Sequence, residues 1–487
     1  MKIKIENFGP VNEFKFDTEK VFHLIVGDNN VGKSYALTAY YFVVKSLLDI
    51  VSARNINRGI MFFSQITEED SEVIDSNEVR LFIASLEEKK NGDIDISQLY
   101  KFLSIEFLQQ TLASEFSKRI KSSYNELGSI VNSFSENKSA KITIEFGGLT
   151  ITLAGNVEEF KVTDAKFKHD AILRLSKQNR QTTIIHEKLV IYKHTSETVE
   201  DSLSKIRQQC VSRCLSFMRD AVGSIIDIDY LPASRSGLYQ ALSAFGQIIA
   251  ELSKSRSFLS SKVELPGISG QLSDYFIKLT SIKASEPNLD ETFSKVATRI
   301  EESVLNGKIE YDFKEKKLYY RPTGTELRLD LSATSSMVSE TAPIVAYIRH
   351  IIAWNTAATT LTTKLRRTRI GPHKPLKKIL IIEEPEAHLH PANQIKMTQI
   401  YTDLANIGVN IVMTSHSNYV FNKLSNLVIE KKLAANDVQC DLFKMKDKGS
   451  IGESQCIDDY GIDDKNFTDA SEELLNERLG LLNNMDV

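Results

Sequence analysis

The 487-residue chain predicts an α/β fold built on a mixed sheet, and three stretches carry that prediction. An apolar strand, VFHLIV, runs into the glycine-bearing GDNNVGKS at 27–34 and then into YALTAYYFVVKSLLDIV, whose apolar residues keep helical spacing. Far downstream, KILIIEEP, ANQIKMTQIYTDLANIG and VNIVMTSHS read as strand, helix and strand, the order that generates a parallel sheet. The opening IKIENFGPVNEFKF alternates on both sides of Gly9-Pro10, which predicts a hairpin and supplies antiparallel strands.

The remaining elements follow in order. Residues 56–140 read as mainly helical, and KITIEFGGLTITLA at 141–154 alternates around Gly147-Gly148 as a second hairpin. A strand region at 181–194 precedes a helix at 199–222. IIDIDYLP then leads into ASRSGLYQALSAFGQIIAELS, another strand-to-helix junction, and helices continue through 304. KIEYDFKEKKLYYRP and ELRLDLS read as strands before MVSETAPIVAYIRHIIAWNTAAT restores helical periodicity. No internal repeat stands out.

Bulk composition narrows the function classes. With 42% hydrophobic and 25% charged residues the chain has ordinary globular composition and length for two to four cores. A formal charge of -4 offers no general electrostatic case for nucleic acid, so any such contact has to be local. No window approaches the roughly 18 to 20 apolar residues that span a bilayer, and MKIKIENF lacks a signal peptide's apolar run. The expectation is a cytoplasmic protein without a membrane partner. Cys210 and Cys214 lie one helical turn apart with no second donor pair, so they and the other two cysteines are expected to be buried or incidental thiols.

GDNNVGKS fits G-x-x-x-x-G-K-[ST] at every fixed position and has the required strand before it and helix after it. Backbone N–H groups of such a loop, here from Gly27, Asp28, Asn29, Asn30, Val31 and Gly32, wrap phosphate oxygens at the positive end of a helix. Lys33 then reaches the β and γ phosphates, and the Ser34 hydroxyl ligates magnesium. The bland alternative is a glycine turn capped by serine.

ILIIEEPEAHLHP at 379–391 first suggests a metal cluster, with Glu383, Glu384, Glu386, His388 and His390 as donors. Hydrolase zinc motifs set two histidines four apart on one helix face, however, whereas these are two apart between prolines. A P-loop nucleotide instead needs an acid at the end of a neighbouring apolar strand, a role that fits Glu383. Glu384 lies at the strand tip, where a carboxylate can polarise an attacking water. His416 ends the next strand, within reach of a γ phosphate or that water.

Together these motifs resemble the ABC class of ATPases, in the branch of SMC and DNA-break-repair proteins, and most closely the OLD-like ATPases. The resemblance covers about 1–50 and 310–430 and implies an ABC-type P-loop head that binds ATP and Mg2+ and hydrolyses ATP. It implies that Glu383 is the Walker B magnesium acid, Glu384 the catalytic base and His416 the switch histidine. Glu386 to His390 would lie near the D-loop, with His388 and His390 at a subunit interface. It also implies a signature motif, for which LSATSSMVSE at 331–340 is the candidate. This motif lacks the usual paired glycines, and Ser335 and Ser336 are the γ-phosphate contacts expected of it, with a plain helix cap as the alternative. YLPASRSGLY resembles a segment common in the branch, where Arg235 would sense nucleotide, contact another lobe or serve a structural salt bridge.

By that resemblance, 1–55 and 310–487 form a bipartite head, and 56–309 is a compact helical insertion with a small β subdomain that serves dimerisation or partner binding. Only 71 residues follow His416, too few for the TOPRIM nuclease of full-length OLD proteins, so no intrinsic nuclease is expected. Standalone OLD-like ATPases resemble subunits of Septu-like, PARIS-like and retron-associated anti-phage modules. The implied partners are a second copy of the chain and a separate effector such as a nuclease or toxin. A rival reading is ATP-coupled binding of DNA or RNA through KLRRTRIGPHKPLKK at 364–378, which holds seven Lys or Arg and no acid. The C-terminal GIDDKNFTDASEELLNERLGLL is expected to pack on the head or to dock an effector.

Overall fold

The computed structural model describes the chain apart from residues 53–75, 89–91, 125–129, 137, 179, 238, 241–268, 283–290, 354–375, 465–467 and 486–487. It resolves into two compact units, one of Met1–Thr18 with Phe42–Ser224 and one of Glu19–Tyr41 with Ile225–Val487.

In the first unit the predicted opening hairpin forms from Lys2–Phe8 and Val11–Asp17, with Ile3 facing Phe16 and Ile5 facing Phe14. Alternation places Ile3, Ile5, Phe14 and Phe16 in the core and the lysines and glutamates between them at the surface, the period-two pattern of a half-buried sheet. The second predicted hairpin, Ala140–Glu145 with Leu149–Gly155, pairs with Lys2–Phe8 and is extended by Phe160–Phe167. A four-stranded sheet of Asp93–Asp95, Asp170–Ser176, Lys188–His194 and Thr183–Ile185 packs with the helices Ser97–Leu108 and Val199–Val222. Helix Val199–Val222 starts where Thr198 and Asp201 form a reciprocal capping box. Cys210 and Cys214 on it are buried, as expected of incidental thiols.

In the second unit five parallel strands lie in the order Ile225–Leu231, Lys377–Glu383, Val409–Thr414, Phe22–Gly27 and Val438–Lys446, and Gly449–Ser454 pairs antiparallel with Val438–Lys446. This is the mixed α/β sheet the sequence predicts. Ile225–Leu231, counted by sequence with the inserted region, is an outer strand of this sheet and pairs with Lys377–Glu383. Phe22–Gly27 and Lys377–Glu383 are almost wholly buried, which explains their continuous apolar runs. The strands Val438–Lys446 and Gly449–Ser454 escape the sequence reading.

Helix Lys33–Val51 carries Leu37, Ala39, Tyr40, Tyr41, Phe42, Val43, Val44 and Leu47, all fully buried, so its apolar residues occupy nearly every face. Lys378, part of the basic stretch, is buried and its Nζ donates to the Ile352 carbonyl at 2.7 Å. Residues 364–375 of that stretch lie outside the described residues. The C-terminal helix Thr468–Met485 leaves Leu474, Leu475, Leu479, Leu481 and Leu482 exposed, at variance with packing on the head, the first of the two expectations for this segment. No helix among the described residues is long and apolar enough to cross a membrane.

Candidate nucleotide site

The loop 27–32 joins the strand end Gly27 to the helix start Lys33. Gly27 has φ 138°, and a Cβ there would meet the Phe443 carbonyl oxygen at 2.3 Å, so only glycine fits against the neighbouring strand. Gly32 at φ 90° and Asn30 at φ 62° turn the chain through the left-handed region, while Asp28, Asn29, Asn30 and Ser34 stand exposed and Val31 anchors the loop in the core. Lys33 is 7% exposed, and its amine donates to the carbonyls of Gly27 at 2.9 Å and Asp28 at 2.6 Å. Burial pulls this amine down to about 8, against the attraction of Glu384, Asp28, Glu386 and Glu383. The structure therefore gathers the loop lysine and the acids of ILIIEEPE within mutual electrostatic reach.

Glu383 ends its strand opposite Thr414 of the next. Its side chain is buried; Oε2 accepts from the Ala233 N–H at 3.3 Å, and Oε1 has no hydrogen-bond partner among the described residues. An orphaned, ionisable oxygen beside a phosphate-type loop is the kind of donor a hydrated magnesium uses, so the residues fit that ion. Ser34 is exposed at the helix start. Among the described residues no group of three or more His, Cys, Asp and Glu is arranged to cage a metal, and His390 instead caps helix Pro391–Asn406, its Nδ1 accepting from the Ala392 N–H. His388 is exposed at φ 62°.

Glu384 adopts φ 43°, a left-handed conformation unusual for a non-glycine residue. Its N–H is shared by the Thr414 carbonyl and Oγ1, both at 3.2 Å. The carboxylate is 43% exposed and approaches His416 Nε2 at 3.8 Å. His416 is held below the usual imidazole range by burial and then by Lys33, so its ring is mainly neutral at pH 7. Glu386, unassigned in the sequence beyond its neighbourhood, fixes that histidine: its Oε1 accepts from the His416 N–H at 2.6 Å and the Ser415 hydroxyl at 2.8 Å. Burial raises the Glu386 carboxyl above the ordinary range.

Ser335 and Ser336 are exposed at the start of helix Ser336–Ala346, and Ser335 is its N-cap, with Oγ accepting from the Val338 N–H at 3.4 Å. The cap geometry is thus present, and a cap with exposed N–H groups beside it can also receive an anion. Arg235 is 1% exposed and its guanidinium meets backbone carbonyls and Glu340, so it is shielded from solvent rather than presented to a nucleotide. Sequence reading missed Glu340; the signal was an acid embedded in the apolar helix SMVSETAPIVA.

None of the curated proteins matches the chain. Among solved structures, the SMC head bound to the C-winged helix domain of ScpA is 9% identical with a TM-score of 0.37, covering 94% of this chain and 97% of that one. The SMC head domain from Thermotoga maritima is 10% identical with a TM-score of 0.32, covering 93% and 97%. The Smc head domain with an extended coiled coil, bound to the C-terminal domain of ScpA derived from Pyrococcus furiosus, is 10% identical with a TM-score of 0.32, covering 98% of each chain. These likenesses are remote. The family match is not: residues 1–421, spanning the loop, the acidic strand and His416, fit the AAA ATPase domain family, and the chain belongs to it.

Proposed function

We propose that the chain is an ATP-driven switch in which two copies sandwich two ATP molecules head to tail. The observation that carries the reading is the buried Lys33 amine, bonded among the described residues to loop carbonyls and drawn electrostatically to Glu384, Glu386 and Glu383. Nucleotide phosphates entering the cradle of Gly27 to Gly32 would replace the Gly27 and Asp28 carbonyls as its partners, restoring charge complementarity. Ser34 and Glu383 would hold magnesium, which when bound neutralises charge on the β and γ phosphates.

Glu384 takes the role of general base, accepting a proton from the attacking water at its exposed carboxylate. His416, neutral and fixed through its backbone by Glu386, offers a ring nitrogen to that water or to the γ phosphate. Ser335 and Ser336 of one chain complete the site of the other at a helix N-terminus. ATP-held closure of the pair then controls a separate effector protein such as a nuclease or toxin, in an anti-phage module. That last step rests on the resemblance to standalone OLD-like ATPases.

The test is turnover of ATP by wild type and by Glu384→Gln, with nucleotide binding measured in both. Wild type binds and hydrolyses, and the variant binds but turns over about 10²- to 10⁴-fold more slowly, the usual worth of a positioned base. Wild-type protein unable to bind ATP overturns the reading, and an unchanged rate in the variant removes Glu384 from its role.

A further inference from the structure

We propose that Arg235 is a positioning residue for ATP hydrolysis: it ties the backbone bearing Glu383 and Glu384 to the helix that opens at Ser335. The inference rests on the reading of Glu384 and Ser335 given above. Arg235 is the bulkiest fully buried side chain of the described residues. Its Nη1 donates to the Glu383 carbonyl at 2.7 Å and the Pro232 carbonyl at 3.0 Å, and its Nη2 to the Glu384 carbonyl at 3.4 Å. Its Nε donates to the Glu340 carbonyl at 3.1 Å and lies 3.5 Å from that residue's carboxylate.

The Glu340 carboxylate returns the contact. It accepts from the Arg235 N–H at 3.1 Å, the Ser236 N–H at 3.3 Å and the Ser236 hydroxyl at 2.5 Å. The Tyr275 hydroxyl donates to the Arg235 carbonyl at 3.2 Å, closing the cage. One guanidinium therefore spans the turn after Ile225–Leu231, the tip of Lys377–Glu383 and helix Ser336–Ala346.

Two features make this more than a structural ion pair. The carbonyls it holds are those of the two acids, and Glu384 sits at φ 43°, a conformation that survives only where surrounding contacts over-determine it. The Thr414 contacts fix the Glu384 N–H, and Arg235 fixes its carbonyl, so the backbone from which its side chain departs is held from both sides. In addition Glu340 lies four residues after Ser336, one turn along the same helix. A shift of that helix on engaging a phosphate is thereby transmitted to the tip of the acidic strand through a rigid planar fork, which a lysine cannot reproduce.

The experiment compares wild type with Arg235→Lys, Glu340→Gln and the double variant, measuring nucleotide affinity, KM and kcat. A positioning role predicts kcat down about 10- to 100-fold, the range that small misplacement of a reacting group produces, with KM and nucleotide affinity within about threefold. It also predicts a double variant no slower than the slower single one, since both break one linkage. Glu340→Gln keeps shape and volume, so it decides the matter if Arg235→Lys does not fold. Folded Glu340→Gln or Arg235→Lys protein with wild-type kcat, or a loss confined to KM, overturns the proposal. If wild type fails to hydrolyse ATP, or Glu384→Gln is as fast as wild type, the earlier reading fails instead.

Discussion

Replacing Lys33 by methionine separates what the phosphate loop costs the empty protein from what it does for nucleotide. Burial lowers the Lys33 amine from 10.5 to about 8, net of attraction to Glu384, Asp28, Glu386 and Glu383. A depression of that size disfavours the folded charged form by at most about 3 kcal/mol at neutral pH, before solvent screening reduces it. Below pH 8 the amine is charged in both folded and unfolded chains and the full penalty applies. Between 8 and 10.5 the folded amine has released its proton while the unfolded one keeps it, so the unfolded chain binds more protons and stability rises with pH. From pH 7 to pH 9 wild type should gain about 1.3 kcal/mol relative to Lys33→Met. Lys378, also held at about 8 by burial, contributes a gain of the same sign that cancels in the difference.

Urea denaturation of both proteins at the two pH values, with and without MgATP, provides the measurement. At pH 7 the methionine variant should be at least as stable as wild type, even though it leaves the Gly27 and Asp28 carbonyls without the amine. MgATP at a hundred times its Kd should stabilise wild type by about 2.7 kcal/mol and the variant not at all. A variant destabilised at pH 7 with no pH dependence of the difference, or one that keeps the MgATP gain, would refute the argument.

Two further predictions rest on other residues. Ser335→Asp keeps an N-cap acceptor, so stability should stay within about 0.5 kcal/mol of wild type. If Ser335 faces a γ phosphate, the added carboxylate repels it and ATP turnover should drop at least about tenfold; normal turnover would reduce Ser335 to a cap. Lys278→Met removes an amine bonded to Asp227 at 2.8 Å and Asp229 at 2.6 Å, and Asp229 is only 1% exposed. The stranded carboxylate should cost about 3 to 5 kcal/mol in denaturant titration, and a loss under about 1 kcal/mol would mean that water relieves it.

The phosphate loop was readable because its chemistry is local: eight consecutive residues carry the turn glycines, the lysine and the hydroxyl, and the flanking periodicities identify strand and helix. The acidic strand was readable for the same reason, since ILIIEE joins a buried apolar run to carboxylates at its tip. What surrounds those motifs is set by pairing across the chain. Phe22–Gly27 lies between Val409–Thr414 and Val438–Lys446, neighbours about 400 residues away, and no local pattern encodes which parallel strand stands beside which. Gly27 reads in the sequence as a motif glycine, but only the sheet shows that the Phe443 carbonyl forbids a side chain there. Arg235 reads as an ambiguous basic residue after a strand, and tertiary packing turns it inward onto Glu340 and the Glu383 and Glu384 carbonyls. Sequence alone therefore determined the residue types the chemistry needs, because their spacing is covalent. Tertiary structure decided which of them are buried, orphaned or strained, because burial and hydrogen-bond partners come from segments that meet only when the sheet closes.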